Sequence, residues 1–353
     1  MFKASMDAYE AWLRAQIGPD FVEADLETKH AKMRKDAFSF LRATYWRWAE
    51  TIFTVCPDLA AAPPLLAIGD THLENFGTWR DAEGRLVWGA NDFDEAAVMP
   101  YALDIVRLGA SAILAGEADG PAASAVCQPI LTGYAEGLAD PEPYVLEQRH
   151  RWLREAVLLS EKDRGKFWDK YEALQPAPAP AAYLAALTAA LPPDAAAPTV
   201  APRTGGTGSL GRPRFVAKLA WNGGPVLREA KGLVQSAWSL KHAPADTAIL
   251  AAAIAGGRHR AVDPHYRIFG KIVVRRLSPN SRKIEVKGSA EELLAPAMLE
   301  AMGREIANCH AGDAARLTAV RADLAGRPAG WLVQAAQKAA HAVEAEYREY
   351  KAG

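Results

Sequence analysis

The chain has little cysteine, little net charge and no long apolar run. Its three cysteines lie far apart and form no Cys-x-x-Cys or Cys/His spacing, so we expect reduced structural thiols rather than disulfides or a zinc site. The net charge of −1 argues against a general binder of nucleic acid or of anionic membranes. No apolar stretch is long enough to span a bilayer, and the N-terminal residues lack the apolar core of a signal peptide. We therefore expect a cytoplasmic globular protein without nucleic-acid or membrane partners.

The 353 residues suffice for one large domain or for two lobes. Apolar residues recur at helical spacing over 5–17 and 30–56, and the pattern from 101 to about 171 is helical throughout. Between these helical stretches, a short buried strand is predicted to end at Asp70, and a second strand is predicted at 86–90. The first half of the chain is thus predicted to be mainly helical, with a small β element inside it.

A stretch rich in Ala and Pro, residues 175–202, is predicted to be a linker with one short helix inside it. Beyond it, apolar alternation on both sides of Asn222-Gly223-Gly224 predicts a hairpin, and the β character continues to Gly288. The predicted parts are a helical part with the candidate site, the linker, a β-rich part, and helices that complete the large lobe, at 1–174, 175–202, 203–288 and 289–353.

Two acidic clusters follow the two predicted strands of the first part, "GDTHLEN" at 69–75 and "NDFDEA" at 91–96. Asp70 and Asn75 can face one pocket from a single loop. The carboxylate can orient or deprotonate a hydroxyl, while the amide oxygen helps to hold a metal ion. Asp92 adds a hard oxygen ligand that suits Mg²⁺, which leaves its other positions to phosphates and water. The two clusters therefore predict phosphoryl transfer from a nucleotide.

Plainer roles stay open for each of these residues. Asp70 and Asn75 could be turn or capping residues after a strand, and His72 is more often a structural hydrogen-bonding group than a ligand. Asp94 is a candidate second metal ligand. Glu95 is interpreted as a bystander or as part of a solvated turn.

The first cluster resembles the catalytic loop of aminoglycoside and choline kinases, and "NDFDEAAVMPYALDIVRL" resembles their metal loop. The resemblance implies that Asp70 is the catalytic Asp, that Asn75 and Asp92 are metal ligands, and that Asp104 is a buried acid supporting the loops. Asp104 also heads a predicted helix, where an acid suits the dipole. The segments "FSFLRATYWRWAE", "LDIVRLGAS" and "GGTGSLG" are similar to the bacterial family called domain of unknown function 2252, which is placed among kinase-like folds. This similarity runs over most of the chain.

A glycine-rich motif, Gly206-Thr207-Gly208-Ser209-x-Gly211, opens a predicted hairpin, as in the loops that cover phosphates in kinases. Its glycines allow backbone amides to approach phosphate oxygens closely. In ordinary kinases this loop precedes the catalytic loop, whereas here it follows it. We therefore expect an α+β, protein-kinase-like fold of two lobes in circularly permuted order, with the helical catalytic lobe first and the β-rich nucleotide lobe second.

The strand after the glycine motif offers Arg228, which stands where the wider family has Lys, and also Lys231 as cations that pair with phosphate. Lys218 is the third candidate. Strand alternation puts Arg228 and Lys231 on opposite faces, so at most one points into the cleft. The following helical segment has no Glu to pair with such a cation. The Lys–Glu pair usual in kinases is therefore either absent or supplied from elsewhere, with Glu229 and Glu285 as candidates.

A basic run alternates along the later predicted strands. We interpret it as a solvated sheet face rather than as a phosphate or substrate patch. Its members are Lys271, Arg275, Arg276, Arg282, Lys283 and Lys287.

These motifs favour an ATP- and Mg²⁺-dependent phosphotransferase that acts on a hydroxyl of a small molecule. Asp70 would orient the acceptor, Asn75 and Asp92 would hold Mg²⁺, and the glycine motif would hold phosphates. A small acceptor rests on analogy, and no activation segment of the protein-kinase type lies between Asp92 and Asp104. Transfer of AMP to protein hydroxyls and a catalytically silent nucleotide-binding module are the alternatives. Neither the acceptor nor the oligomeric state can be predicted.

Overall fold

The computed structural model describes residues 2–117, 121–281 and 283–352. The protein is of mixed α and β class, with helices predominating over antiparallel sheets. The α-helices in the described residues are α1 (Phe2–Ile17), α2 (Glu23–Met33), α3 (Ala37–Ala43), α4 (Tyr45–Val55), α5 (Ala102–Gly116), α6 (Pro121–Ala139), α7 (Arg151–Val157), α8 (Glu161–Glu172), α9 (Ala181–Ala189), α10 (Ala237–His242), α11 (Ala251–Ala255), α12 (Val286–Leu294), α13 (Pro296–His310), α14 (Leu317–Gly326) and α15 (Trp331–Ala352). The strands there are β1 (Pro64–Ala67), β2 (Phe76–Arg80), β3 (Leu86–Ala90), β4 (Ala97–Pro100), β5 (Tyr144–Val145), β6 (Thr199–Pro202), β7 (Arg214–Trp221), β8 (Gly224–Gly232), β9 (Arg267–Phe269) and β10 (Ile272–Leu277). Among the described helices, none combines the length and apolar character needed to cross a membrane.

Two small sheets in the first part of the chain carry the candidate loops. β1 pairs with β4, while β2 pairs with β3 and β3 with β5. The β2–β3 ladder ends where Phe76 lies opposite Ala90, and the backbone N–H of Asn91 donates to the carbonyl oxygen of Asn75 over 3.0 Å. The loops that contain the two acidic clusters therefore meet at one end of this hairpin.

The β-rich part forms one five-stranded antiparallel sheet in the order β6-β7-β8-β10-β9. Its central hairpin turns at Asn222 and Gly223, with Trp221 paired to Gly224. Both turn residues have positive φ, 46° and 83°, which is the geometry that Asn-Gly favours in two-residue turns. The predicted hairpin is confirmed. β6 comes from the end of the predicted linker, so the last residues of that segment belong to the sheet.

Alternation divides this sheet into two faces. On one face, α9 packs into an apolar cluster with residues such as Ala217. On the other face, the register places Arg214 opposite Lys231 and Glu229 opposite Arg275. α8 covers the outer part of this second face. The sheet thus turns one charged surface toward the first part of the chain and one apolar surface toward α9.

Two secondary-structure predictions are wrong. The helical pattern over 101–171 is interrupted by β5, which pairs with β3, and residues 118–120 of that prediction lie outside the described residues. The β character predicted up to 288 ends earlier, because α12 begins at Val286. Both errors concern short segments whose tertiary partners, rather than their own periodicity, set the conformation.

α5 is the central helix of the larger core. It is apolar on nearly all sides and buried along almost its whole length, as expected of a helix enclosed by others. Its polar residues, Asp104, Arg107 and Ser111, are spaced i, i+3 and i+7 and therefore share one face. That face turns toward the loop that carries Asp70.

α6 and α13 approach each other along glycines. An ideal Cβ on Gly133 would lie 1.9 Å from the carbonyl oxygen of Glu300, and one on Gly303 would lie 2.1 Å from that of Ile130. Because the contacted atoms are backbone, the helices must separate before either position can accept a side chain. α13 carries His310, so this close contact positions a residue of the candidate site.

We expect Gly303→Ala to lower the free energy of unfolding by about 1–3 kcal/mol or more, the usual range for overpacking. Gly165→Ala is the control, because nothing lies within 4 Å of an ideal Cβ at this position of α8. The control should raise the free energy of unfolding by about 0.5–1 kcal/mol, since Ala is the better helix former. Urea unfolding measures both changes. A Gly303→Ala variant as stable as the wild type would contradict the close contact.

Candidate functional site

Asp104 on α5 fixes the start of the loop that carries Asp70. Its carboxylate accepts hydrogen bonds from the backbone N–H groups of Ile68 and Gly69, over 2.8 and 3.0 Å. Thr71 Oγ1 donates to the backbone carbonyl oxygen of Asp104 over 2.6 Å. Because Asp104 is fully buried, the bonds from the two backbone N–H groups satisfy a carboxylate that would otherwise be unfavourable in the core.

A second contact to Asp104 comes from α13. His310 Nε2 lies 3.0 Å from Asp104 Oδ2, and Tyr134 OH lies 2.9 Å from His310 Nδ1. His310 is fully buried as well. This chain of contacts joins the C-terminal helices to the loop of Asp70.

Gly69 brings the two acidic loops into direct contact. It has a φ of +97°, and an ideal Cβ there would lie 2.2 Å from the carbonyl oxygen of Glu95. The positive φ favours glycine, and the close approach to the backbone excludes any side chain. The loop at 91–96 therefore packs against the loop at 68–75.

Arg107 holds the side chain of Asp70. Its Nε donates to Asp70 Oδ1 over 2.8 Å, and its Nη2 donates to the same oxygen and to the carbonyl oxygen of Leu41. The other carboxylate oxygen of Asp70, Oδ2, lies 3.4 Å from an ideal Cβ on Gly208. Burial raises the pKa of Asp70 above its ordinary value, and the Arg107 guanidinium partly opposes that rise.

His72 and Asn75 complete the first loop. His72 Nδ1 accepts a hydrogen bond from the backbone N–H of Glu74 over 3.1 Å. Burial, together with the nearby Arg42 guanidinium, lowers the pKa of His72 well below its usual value, so the ring is neutral at pH 7. Asn75 Nδ2 donates to the carbonyl oxygen of Asp70. This bond leaves the amide oxygen of Asn75 as the group available to a ligand.

Cations face the second acidic cluster. Lys231 Nζ lies 2.5 Å from Asp94 Oδ1 and 3.5 Å from Asp92 Oδ1. Lys283 Nζ lies 3.5 Å from Asp92 Oδ2, and Arg212 Nη1 donates to Asp94 Oδ2 over 3.2 Å. Burial alone would raise the pKa of Asp92, but Lys231 and Lys283 outweigh it and hold that pKa well below its ordinary value. Asp92 is therefore ionised at neutral pH.

One cavity of about 680 Å³ is shared by the two loops and the glycine motif. Gly211 does not line it, because this residue packs against the ring of Phe21, 3.0 Å from an ideal Cβ, with a φ of +91°. The predicted site residues that line the cavity are Asp70, His72, Asn75, Asp92, Asp94, Gly206, Thr207, Gly208 and Ser209.

A buried Glu–Arg cluster supports the glycine motif from the sheet. Fully buried Glu229 accepts hydrogen bonds at 2.5–3.1 Å from Arg203, Arg214 and Arg275. Arg214 also donates to Ser209 Oγ over 2.6 Å. Burial would raise the pKa of Glu229, but the three guanidinium groups hold it well below its usual value. Glu229 is thus committed to arginines and pairs with no lysine of the described site.

The structure does not bring Arg228 to the cavity. Arg228 lies on the opposite face of β8, where its Nε donates to the carbonyl oxygen of Ala190 over 2.9 Å. Its Nη2 lies 3.2 Å from His265 Nδ1. Neither Lys218 on β7 nor Lys231 on β8 lines the cavity. Of the three candidate cations, Lys231 is the one that reaches the acidic cluster.

Glu95 is buried, which corrects its assignment to a solvated turn. Its carboxylate accepts hydrogen bonds from Arg212 Nη2 over 2.8 Å and from the backbone N–H of Ala237 over 2.7 Å. Glu95 thereby ties the second acidic loop to the residues around α10. Its position depends on contacts with residues far away in the sequence.

The basic run is also only partly a solvated face, and Arg282 lies outside the described residues. Of its remaining members, Lys271 and Arg276 do not line the cavity. Those that line the cavity are Arg275, Lys283 and Lys287.

Several residues at the site were missed from the sequence. Arg107 left one signal, since it is a lone cation in an otherwise apolar helix, three residues after Asp104. Arg42, which pairs with Glu74 over 2.6 Å, and Lys29 come from the N-terminal helices. No local pattern connects those helices with the acidic loops.

Two oxygen donors that line the cavity are of the type that Mg²⁺ accepts. Asn75 offers an amide oxygen and Asp92 an ionised carboxylate, which is a donor set that Mg²⁺ accepts. No group of three or more His, Cys, Asp or Glu able to hold a metal ion occurs in residues 2–117, 121–281 and 283–352. An ion at Asn75 and Asp92 would therefore draw its remaining ligands from phosphates and water.

The charge of the lining also fits an anion. Eleven Lys and Arg face eight Asp and Glu around the cavity, although the whole chain has a net charge of −1. Four residues of the lining each have a buried side-chain N–H without a partner among the described residues, at Arg42 Nε, Trp46 Nε1, Arg203 Nε and Arg214 Nε. A ligand rich in acceptor oxygens complements such donors.

Replacing Arg107 should leave the buried Asp70 carboxylate without its counter-charge and so lower the free energy of unfolding. We expect Arg107→Met to lower stability at pH 7 by about 3–5 kcal/mol, as when one partner of a buried ion pair is removed. Without the guanidinium, the pKa of folded Asp70 rises further, so the folded protein keeps a proton that the unfolded chain releases near pH ~4. Stability should therefore fall with rising pH more steeply than in the wild type.

Urea unfolding at pH 5 and pH 8 measures this effect. The control is Arg348→Met, because the Arg348–Glu344 pair has side chains 76% and 36% exposed and should contribute less than about 1 kcal/mol. An unchanged pH dependence in Arg107→Met would contradict the role of this pair.

Comparisons with known proteins place the candidate loops within a family match. Residues 21–166 match the model of a family described as "Uncharacterized protein conserved in bacteria (DUF2252)". Neither the curated proteins nor the solved structures gave a match. The matched residues include both acidic clusters and α5 and end before the glycine motif. Over this segment, the chain is therefore similar to the bacterial family DUF2252.

Proposed function

We propose that the protein is an ATP- and Mg²⁺-dependent phosphotransferase that acts on a hydroxyl group of a small molecule. One observation carries the proposal. The glycine motif, which lies far from Asp70 in the sequence, lines the same cavity, with an ideal Cβ on Gly208 3.4 Å from Asp70 Oδ2. A loop suited to phosphates and a carboxylate suited to a hydroxyl thus share one cavity.

Residues that line the cavity, together with Lys231 directly behind Asp92 and Asp94, have roles in such a transfer. The glycine motif presents backbone N–H groups to phosphate oxygens, and Lys231 adds a positive charge that Asp94 holds in place. Asn75 and Asp92 would hold Mg²⁺, which neutralises phosphate charge when bound. The arginines around Glu229 fix Ser209 of the motif through Arg214.

Asp70 is suited to receive the proton of the acceptor hydroxyl. Arg107 occupies Oδ1, and Oδ2 is left for the hydroxyl. The raised pKa of Asp70 makes it a stronger base than an ordinary aspartate. The acceptor oxygen bonds to the γ-phosphorus while the bond from that phosphorus to the β,γ-bridging oxygen breaks. The proton passes to Asp70 and ADP leaves.

We also propose that the fold is protein-kinase-like, with its two lobes in circularly permuted order. The five-stranded sheet follows the Ala/Pro-rich segment and turns Glu229 and Lys231 toward the acidic loops. Helix α13 leads to His310, which supports the loop of Asp70 through Asp104. These positions support an arrangement in which the nucleotide lobe comes second in the chain. The two lobes would nevertheless enclose a cleft like that of a kinase with the usual order.

A catalytically silent nucleotide-binding module is the second candidate. The observation that favours it is that Asp92 and Asp94 are already paired with Lys231. A metal ion at Asp92 must compete with this lysine and with Lys283. If Lys231 and Lys283 stay paired with Asp92, no metal ion binds there, and the cavity binds a nucleotide without catalysing a transfer.

Thermal unfolding tests nucleotide binding and turnover together. Mg²⁺ with ATP should raise the unfolding midpoint of the wild type, because a ligand stabilises the state that binds it. Asp70→Asn should keep this shift but lose about 10²–10⁴-fold in nucleotide turnover, the usual contribution of a general base. Folded wild-type protein without any shift would contradict the proposal.

The released product separates the remaining alternatives. ADP indicates phosphoryl transfer, whereas pyrophosphate indicates transfer of AMP. A thermal shift without release of either product indicates the silent module.

Charge removal on the two faces of β8 tests which cation serves the site. Lys231→Gln should weaken Mg²⁺-nucleotide binding at least about tenfold, since a charged hydrogen bond contributes about 1.5–3 kcal/mol. Arg228→Gln is the matched control on the opposite face and should leave the affinity unchanged. Isothermal titration gives both values. The reverse ranking would show that Arg228 reaches the nucleotide.

A further inference from the structure

The N-terminal helices form a wall of the cavity that phosphate binding does not use. We define this N-terminal wall as Tyr9 of α1, Lys29 of α2 and Trp46 of α4, all of which line the cavity. The rings of Tyr9 and Trp46 stack with centroids 5.3 Å apart. Lys29 Nζ lies 5.5 Å from the centre of the Tyr9 ring. The three side chains therefore form one continuous surface.

The N-terminal wall presents hydrogen-bond donors that lack acceptors. Lys29 is only 2% exposed, yet its ammonium forms no hydrogen bond or ion pair within the described part of the chain. Glu10, the acid that acts most strongly on Lys29, is bonded to His30 Nε2 at 2.7 Å. Trp46 Nε1 is buried and has no partner either. Buried donors of this kind are normally paired, so the wall is incomplete without a ligand.

Neighbouring charges indicate the sign and the magnitude of the charge that a ligand at this wall should carry. Arg212, beside the Tyr9 hydroxyl, is already neutralised by two carboxylates. Burial lowers the pKa of Lys29 to about 8, so its ammonium is still mostly charged at pH 7. It is one unpaired positive charge, which one carboxylate balances. A cationic group such as the trimethylammonium of choline would meet like charge in a site of low dielectric.

Asp70 lies within electrostatic reach of this wall. Burial raises the pKa of the Tyr9 hydroxyl to about 12, and the Glu95 and Asp70 carboxylates add to that rise. Because Asp70 lines the same cavity as the wall, a small molecule held at the N-terminal wall can present a hydroxyl to Asp70. The same negative charges disfavour a phosphate dianion at the wall and favour a monoanion.

We propose that the N-terminal wall is the acceptor subsite and that the acceptor is a small hydroxy acid. Its carboxylate binds Lys29 Nζ, and its hydroxyl reaches Asp70 Oδ2. The acceptor role rests on the proposed phosphotransferase function. In the transfer, the hydroxyl oxygen bonds to the γ-phosphorus, the bond to the β,γ-bridging oxygen breaks, and the hydroxyl proton passes to Asp70. The products are a phosphorylated hydroxy acid and ADP.

Matched pairs of small molecules test the carboxylate requirement. The probes are lactate, glycerate and gluconate, each compared with its neutral counterpart, 1,2-propanediol, glycerol or glucitol, and choline is the cationic probe. The full chain is used with Mg²⁺ and ADP at constant ionic strength, and the unfolding midpoint is measured. At least one acid should raise the midpoint, while its neutral counterpart and choline should not.

Substitution of Lys29 tests the location of this subsite. Lys29→Gln and the more nearly isosteric Lys29→Met should each weaken binding of the responding acid at least tenfold. Their response to Mg²⁺ and ADP should stay that of the wild type, which also shows that the variants fold. The control is Lys241→Gln, an exposed lysine that does not line the cavity, and it should bind the acid normally.

The outcomes separate this inference from the proposed function. No response to Mg²⁺ and ADP in folded wild-type protein would overturn the phosphotransferase, while a response to an acid that depends on Lys29 would still support the subsite. A nucleotide response without a response to any acid would overturn the hydroxy-acid acceptor alone. A response to choline or to a neutral alcohol equal to that of its acid, or normal acid binding by both Lys29 variants, would also overturn it.

Discussion

Two side chains one helical turn apart on α5 hold the loop on which the candidate site depends. Asp104 binds the backbone of Ile68 and Gly69, and Arg107 binds the carboxylate of Asp70. Both are almost completely buried, so their charges are tolerable only because their polar atoms are bonded within the core. The helix is rigid since apolar neighbours enclose it. Asp70 therefore has a defined position before any ligand binds, which is what a catalytic carboxylate requires.

Acidic and basic side chains face each other around the cavity. The acidic loops meet Lys231, Lys283 and Arg212 on one side, and the arginines around Glu229 lie behind the glycine motif on the other. The lining has an excess of cations although the chain as a whole is nearly neutral. A local field of this sign attracts anions into a concave site more strongly than the same charges would on a flat surface. Overall composition hides this field because it averages over the entire surface.

The sequence predicted the elements whose signals are local. The strand at 86–90, the Asn222-Gly223 turn and the polar residues after β1 and β3 could be found because alternation and turn chemistry act over a few residues. β5 and the start of α12 could not, since pairing with β3 and packing against other helices override weak local preferences. The buried state of Glu95 was missed for the same reason, because its partner Arg212 comes from a distant segment.

The choice between Arg228 and Lys231 shows where local pattern ends. Period-two alternation required these residues to lie on opposite faces of β8. The sequence of the strand does not indicate which of the two faces the cavity. Which face of the sheet turns toward the cavity depends on which helix covers each face. α9 packs on the face that carries Arg228. Likewise, the residue types in the two acidic clusters predict carboxylate and amide oxygen ligands, whatever the position of the loops in the fold. Their meeting with the glycine motif and the N-terminal wall required the packing of segments far apart in the chain, because burial of apolar surface brings such segments together without regard to their order.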